Sequence, residues 1–488
     1  MLFNSFEFLL FFPIVTAVYF LLPHKFRWFH LLVASCIFYM YFIPIYILVL
    51  FLTIIIDYVA GIMIENAQGA RRKWFLVMSI FANVGVLAVF KYYNFFIDNI
   101  NELFHITNIN AHLPIWNIIL PIGLSFHTFQ AMSYTIEVYR GHQKAERDLG
   151  IYALYVMFYP QLVAGPIERP QNLLPHFHEK QDFKYENAAI GFRLMMWGMI
   201  KKVVIADRLA LTTDPIFREP HHHSGTALAI ATIFFAFQIF CDFSGYSDIA
   251  TGAARVMGFK LMTNFNKPYH SRSISEFWKR WHISLSTWFK DYLYISLGGN
   301  RVSVPRMYFN LFFVFMVSGF WHGANWTFIA WGALHGFYLV FALFTKSARE
   351  KAAKSLGITK NPALNNTLNV ITTFVLVNVA WVFFRATNIH DAVYIIKKFA
   401  SIPEELLRVV STHHIAFLNL PGLFNAIIPG FALIAFLELA HIVQDKYDLE
   451  HTFSNRPTYV RWGLYFAGQA ALFFFGVYQD QQFIYFQF

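Results

Sequence analysis

Apolar residues run along this chain in blocks of about twenty, separated by short polar clusters, and the blocks lack the period-two alternation of barrel strands. The clearest cover residues 2–22, 28–43, 45–65, 74–96 and 113–139. At a rise of about 1.5 Å per residue, each is long enough for a helix that crosses or nearly crosses a bilayer. The links between them alternate in charge. His24-Lys25-Phe26-Arg27, Ala70-Arg71-Arg72-Lys73 and the stretch from Arg140 to Arg147 are basic. Ile43-Pro44 is uncharged, and Asp98 to Leu113 carries no Lys or Arg. The positive-inside rule then puts the N-terminus outside and the basic links in the cytoplasm. Lys346 to Lys360 and Lys446 to Arg461 read as cytoplasmic in the same way. Arg385 to His414 should lie outside yet carries Arg385, Lys397, Lys398 and Arg408. An interfacial helix would accommodate these as snorkelling side chains.

The middle of the chain is patterned differently. Residues 150–164 are apolar but short, and Tyr159-Pro160 and Ala164-Gly165-Pro166 interrupt them. Residues 188–206 end in Lys201-Lys202, followed by Asp207-Arg208. Residues 224–257 are too long for one span and include Asp242, Gly245 and Asp248, and residues 273–297 mix Trp with Lys, Arg, His and Asp. Polar or irregular backbone at membrane depth is tolerated only where protein buries it or water reaches it. The expectation is therefore a funnel with re-entrant segments between about 121 and 336. No internal repeat is visible, which counts against an inverted-repeat transporter.

Composition fits this reading. The chain has 488 residues, 57% of them hydrophobic, and only 14% are charged, against about 25% in soluble domains. With 58 Phe and a mean hydropathy of +0.45, it cannot bury its apolar surface in water. The fold class expected is an all-α polytopic membrane protein of about 10–12 helices. Three regions follow: N-terminal spans over 1–112, a central core over 113–345, and C-terminal spans over 346–488. Leu2 to Leu22 reads as a retained first span, because no basic n-region or small-residue cleavage site accompanies it. The net charge of +10 is scattered through short loops, which suits an anionic membrane face and not nucleic acid. Cys36 and Cys241 both fall in apolar runs and read as buried hydrophobes.

Candidate chemistry centres on histidines inside this apolar sequence. His322 lies in Phe320-Trp321-His322-Gly323-Ala324-Asn325-Trp326, and His282 in Glu276-Phe277-Trp278-Lys279-Arg280-Trp281-His282. An ionisable group at membrane depth is expensive, so it marks a functional site. A neutral imidazole can take a proton near pH 7, as a general base must. Gly323 and Ala324 leave room for a ligand, and Asn325 offers a donor and an acceptor. On one continuous helix Trp278 and His282 would share a face, with Trp281, Leu285 and Trp288 on an adjacent stripe. Glu276 and Arg280 would form an i, i+4 pair. The competing reading is an interfacial amphipathic helix for 276–288 and a carbonyl-bonded core histidine for His322. His335 would sit about 20 Å from His322 on one unbroken helix, and reads as structural. His127, at the Pro121-Ile122-Gly123 break, reads as a cavity wall or helix cap, and His221-His222-His223 as a solvated loop. No HExxH, CxxC, Walker or GxGxxG pattern occurs, so no metal site and no resident cofactor are expected.

These residues together resemble a known family. Phe320 to Thr327 is similar to the signature of the membrane-bound O-acyltransferases. Ser273 to Arg301, Leu120 to Gln130, Gln161 to Ile167, Asp242 to Asp248 and Trp381 to Arg385 resemble its bacterial branch, which O-acetylates alginate and D-alanylates teichoic acids. The resemblance implies a ring of helices and re-entrant segments around a central funnel in the inner membrane of a bacterium. It implies that His322 is catalytic and His282 is a second catalytic residue. The residues expected at the substrate are Asn325, Trp278, Trp281 and Trp321, with Trp288, Arg280 and Ser286 beside them. The donor implied is a cytoplasmic thioester, acetyl-CoA or an acyl carrier. The acceptor implied is a periplasmic or membrane-anchored partner with a serine hydroxyl, which passes the acyl group to a polysaccharide. Peptidoglycan O-acetylation and teichoic acid D-alanylation are alternatives within the family. A transporter of acyl lipid or polymer, with the histidines as proton relays, is the alternative outside it.

Overall fold

The computed structural model describes residues 1–412, 418, 420, 422–447, 456–478 and 483–484. Every regular element among them is helical. The early blocks become α1 (Phe6–Leu21), α2 (His24–Met40), α3 (Ile47–Asn66), α4 (Gly69–Leu87), α5 (Tyr93–Ile106) and α6 (Leu124–Arg140). A π-helical turn, Ala88–Tyr92, joins α4 to α5. The fifth block begins later than its apolar pattern suggests. Residues 113–123 are not helical, and α6 starts only after Gly123, whose φ of 77° is open to glycine.

The irregular middle holds α7 (Leu149–Met157), α8 (Tyr159–Leu162), α9 (Pro170–His178), α10 (Tyr185–Met199) and α11 (Asp207–Arg218), with the π segment Ile200–Ala206 before α11. Residues 224–257, too long for one simple span, form one continuous helix, α12 (Gly225–Val256). Then come α13 (Ile274–Arg280), α14 (Ile283–Trp288), α15 (Val304–His322), α16 (Trp326–Phe344), α17 (Lys346–Ser355), α18 (Pro362–Arg385), α19 (Ile389–Lys398), α20 (Ile402–Thr412), α21 (Ile428–Lys446) and α22 (Thr458–Phe475). The helices α19 and α20 occupy the basic stretch that broke the charge rule. His414 and residues 448–455 of the link from Lys446 to Arg461 lie outside the described residues.

Among the described residues, six helical segments are long and apolar enough to cross a membrane: Pro44–Asn66, Gly69–Ile106, Gly225–Val256, Trp326–Phe344, Pro362–Arg385 and Phe424–Lys446. Their outer faces remain apolar. On α3, Leu48, Leu52, Ile55 and Val59 are exposed, as lipid contact requires and water would penalise. The chain is therefore an all-helical, multi-pass membrane protein.

The residues fall into two compact units. One comprises Met1–Met195 and Tyr246–Thr263, the other Met196–Gly245 and Asn264–Phe488. In the first, polar groups hold α3 against its neighbours. Buried Asp57 accepts from Ser79 Oγ at 2.6 Å and from Asn83 Nδ2 at 2.9 Å. Thr53 Oγ1 lies 2.6 Å from His127 Nε2, so His127 belongs to this packing. The second unit contains both signature histidines. Its core includes Trp281, Trp331 and Trp381, each fully buried. There α15 and α16 pack as a close hairpin: a Cβ on Gly319 would stand 2.3 Å from the carbonyl oxygen of Phe328.

Candidate active site

His322 is the last residue of α15, where the backbone turns extended at Gly323. Only glycine fits at 323, because a Cβ would lie 2.1 Å from the Phe328 ring. Asn325 then caps α16: its Oδ1 accepts from Thr327 N at 3.0 Å and its Nδ2 donates to Thr387 O at 3.2 Å. Both ends of that amide are thus used in holding the turn. The His322 ring packs against Trp321 and Trp331, each at 4.9 Å between centroids, and Phe384 at 5.4 Å. It keeps 6% of its surface accessible, while His282 and His335 keep none. Of the three imidazoles, it is the one that a substrate reaches with least rearrangement.

His282 is held in an unusual backbone. The single helix expected over 276–288 does not form. Trp281 is extended after α13, and His282 adopts the left-handed conformation, φ 43° and ψ 56°, before α14. Trp278 and His282 therefore do not share a helical face. The break is closed by Asn264. Its backbone oxygen accepts from Ile283 N at 2.8 Å, and its Oδ1 from Ser284 N at 3.2 Å and Ser284 Oγ at 2.9 Å. His282 Nδ1 lies 3.1 Å from that same Oδ1. A backbone N–H can only donate, so the amide atom facing Ser284 N is the oxygen. Nδ1 of His282 must then carry its proton, which leaves Nε2 as the acceptor of the neutral ring.

An aromatic series joins the two histidines. Trp331 faces His322, and stacks on Trp381 at 6.1 Å. Trp381 meets Trp281 at 5.0 Å, Trp281 meets Phe265 at 5.2 Å, and Phe265 stacks on His282 at 6.3 Å. Trp278 does something else: its Nε1–H donates to His335 Nδ1 at 3.2 Å. His335 is closer to His322 than an unbroken helix would allow, because the chain folds back at Gly323–Asn325. Trp331 packs against both, at 4.9 Å from each. Among the other expected residues, Trp288 is buried, Arg280 pairs with Glu276 at 2.7 Å, and Ser286 Oγ donates to Trp281 O at 3.1 Å. A cavity of about 230 Å³ lies beside this region, lined by Trp278, Lys279, Ser286, Lys290, Phe315 and Ser318. It does not include His322, although Ser318 lies one turn before it on α15.

His221 and His222 are exposed, and His221 lies 3.1 Å from Asp391. Cys241 is buried and Cys36 half-buried, and neither is in a disulfide. Sequence reasoning missed Asn264, Trp331 and Phe384. Asn264 stands eighteen positions before His282, in a stretch without any helical periodicity to mark it.

Comparison with known proteins identifies the family. Residues 140–379, which include His282 and His322, match the model of the membrane-bound O-acyltransferase family. The chain is 41% identical to the probable alginate O-acetylase of Pseudomonas aeruginosa, over 80% of this chain and 73% of the relative. It is 36% identical to the peptidoglycan O-acetyltransferase of Helicobacter pylori, over 80% and 76%. With the teichoic acid D-alanyltransferase of Streptococcus thermophilus it shares 32% identity, over 54% and 68%. All three relatives are named for acyl or aminoacyl transfer. Two buried imidazoles set at helix breaks among tryptophans, on a chain this close to such enzymes, make this an acyltransferase of the membrane-bound O-acyltransferase family.

Proposed function

We propose that this protein moves an acetyl group from a cytoplasmic thioester to a hydroxyl on the outer side of a bacterial inner membrane. The observation that carries the reading is the state of His322: an imidazole at a helix end, walled by indoles, with a small part of its surface still open. In the reaction, the acceptor oxygen attacks the thioester carbonyl while His322 takes the hydroxyl proton. The tetrahedral intermediate collapses with loss of thiolate, which recovers that proton. One C–O bond forms and one C–S bond breaks. General-base help of this kind contributes about 10²–10⁴-fold. The C-terminal end of α15 carries partial negative charge, which favours the imidazolium formed midway.

His282, with Nε2 as an acceptor, suits orientation of the acceptor hydroxyl better than donation to the oxyanion. Asn325 is spent on capping. The buried indole N–H of Trp331 has no hydrogen-bond partner among the described residues, so it is the donor we assign to the oxyanion. A phosphate-bearing donor, acetyl-CoA or a carrier's pantetheine arm, would meet Lys279 and Lys290 at the 230 Å³ cavity. The acceptor is a serine hydroxyl of a periplasmic or membrane-anchored partner that passes acetyl to a polysaccharide. The relatives named for alginate and peptidoglycan acetylation support an envelope polymer.

The test is transfer of labelled acetyl from a thioester to a serine acceptor by the protein in nanodiscs. His322→Ala should lose at least about a hundredfold in kcat at normal protein yield. A rate near wild type would end the general-base assignment. His282→Asn separates the roles of the second histidine: retained turnover means hydrogen bonding, and its loss means proton transfer.

A further inference from the structure

The same unit holds a second histidine cluster, remote in sequence from the signature. His270, in the loop before α13, meets Glu438 and His441 of α21. Glu438 Oε2 is 2.5 Å from His270 Nε2, and Glu438 Oε1 is 3.4 Å from His441 Nδ1. The three ligand atoms all lie within 4.8 Å of one another. Glu438 and His441 are three apart, so one helical face presents both, in the Glu-x-x-His spacing used by helical metal sites. His441 is 5% exposed, and its Nδ1 makes no hydrogen bond among the described residues. A buried imidazole nitrogen beside a carboxylate, with that bond unmade, is expensive unless something else occupies it.

We propose that His270, Glu438 and His441 bind a divalent transition metal of the zinc class. Two imidazoles and a carboxylate form a borderline donor set, which selects zinc, manganese, iron(II) or cobalt over calcium and magnesium. The spacing fits. Ligands at about 2.1 Å on a tetrahedral ion stand about 3.4 Å from each other. The His441–Glu438 separation already has that value, and a small rotation of the Glu438 carboxylate opens the His270 side. The side chains of His270 and Glu438 remain 33% and 28% exposed, so water can complete the coordination. Lys267, three residues before His270, pairs with Asp445, one turn beyond His441. The ion's role is to brace. His270 lies on the loop that runs from Asn264 to α13, and Asn264 sets His282. The ion would pin that loop to α21. The proposal does not depend on the acetyl-transfer reading.

The experiment uses the full chain with a tag free of histidine, purified in detergent without chelator. Elemental analysis should find about one equivalent of a zinc-class metal per chain. His441→Ala and His270→Ala should lose it, while His221→Ala, at the exposed His221–Asp391 contact, should keep it. After chelation, added Zn²⁺ should raise the thermal midpoint of wild type by several degrees and leave His441→Ala unmoved. If His441→Ala does not fold, His270→Gln serves the same comparison. Two results overturn the site. One is chelated wild type whose midpoint does not move with Zn²⁺, Mn²⁺, Fe²⁺ or Co²⁺. The other is metal that disappears in His221→Ala but persists in His270→Ala.

Discussion

Replacing Asn264 with Ala tests whether the left-handed turn at His282 is held for catalysis or only for packing. The substitution removes one acceptor that serves Ser284 N, Ser284 Oγ and His282 Nδ1. Each buried hydrogen bond contributes about 0.5–1.5 kcal/mol, so the loss should total about 2–4 kcal/mol. A non-glycine residue at φ 43° itself costs about 1 kcal/mol, and the Asn264 amide helps to hold it there. Without it, His282 should relax toward negative φ and swing its Nε2 away. A displacement of about 1 Å in a positioning group costs about 10²-fold in kcat. Ser284→Ala is the graded control, because Asn264 keeps two of its three donors. The assay is labelled-acyl transfer with separate kcat and KM, alongside thermal unfolding in the same detergent. Asn264→Ala should lower both kcat and midpoint, and Ser284→Ala should lower the midpoint slightly with kcat within about threefold of wild type. A lower midpoint with unchanged kcat would refute the reasoning, for it would make the turn a packing device alone.

Three further outcomes follow from the same geometry. Lys202 bridges two buried carboxylates, Asp207 at 2.8 Å and Asp242 at 2.6 Å. Lys202→Met should cost about 3–5 kcal/mol, read as collapse of detergent-stable protein, and adding Asp207→Asn and Asp242→Asn should restore much of the yield. Glu405 caps the start of α12 by accepting from Gly225 N, Thr226 N, Thr226 Oγ1 and Ser401 Oγ. Burial pushes its carboxyl up, yet these bonds outweigh that and hold it at about 2, below its ordinary 4.5. Its contribution is therefore complete above about pH 4.5 and fades as pH falls toward 2, so the midpoint gap between wild type and Glu405→Gln should narrow over that window. Asn325→Ala should cost about 1 kcal/mol of cap and a modest part of kcat, whereas a direct oxyanion role would cost about 10²–10³-fold with no change in midpoint.

The fold class was legible because it reports on solvent. Runs of twenty apolar residues have one stable use, and the exposed Leu48, Leu52 and Ile55 show lipid where water would be forbidden. The two histidines stood out for the same reason, since a buried titratable ring needs compensation, although His127 and His335 are as buried and find theirs in packing contacts. The breaks between helices were harder to read. Residues 276–288 carry a helical pattern, yet the chain turns left-handed at His282 because Asn264, far back in sequence, offers the freed N–H groups a partner. In α12 the reverse happened. The stretch looked too long and too polar for one span, but Lys202 neutralises Asp242, and Gly245 lets the helix approach the backbone at Gly198. Whether a polar residue ends a helix depends on its partner, and a partner 40 positions away leaves no local trace.

Both signature histidines sit where a helix stops, and this follows from what a membrane permits. Inside an unbroken helix, an imidazole points sideways into packed side chains, and the backbone contributes no free donors or acceptors. At a break, four N–H or C=O groups lose their partners, and lipid supplies none. The chain must close such gaps with its own amides, and here Asn264 closes one and Asn325 the other. Around His322 the gap is bounded by large rigid rings, Trp321, Trp331 and Phe384. A reaction that develops charge on a carbonyl oxygen needs that environment, and in water it would need a reorganised solvent shell instead. The tryptophans fit the same logic, since each adds a wide apolar wall and one N–H at little cost in conformational entropy. On the proposed reading, a membrane acyltransferase has reason to put its base at a helix terminus, and the interruptions that obscured the sequence pattern would then serve the chemistry.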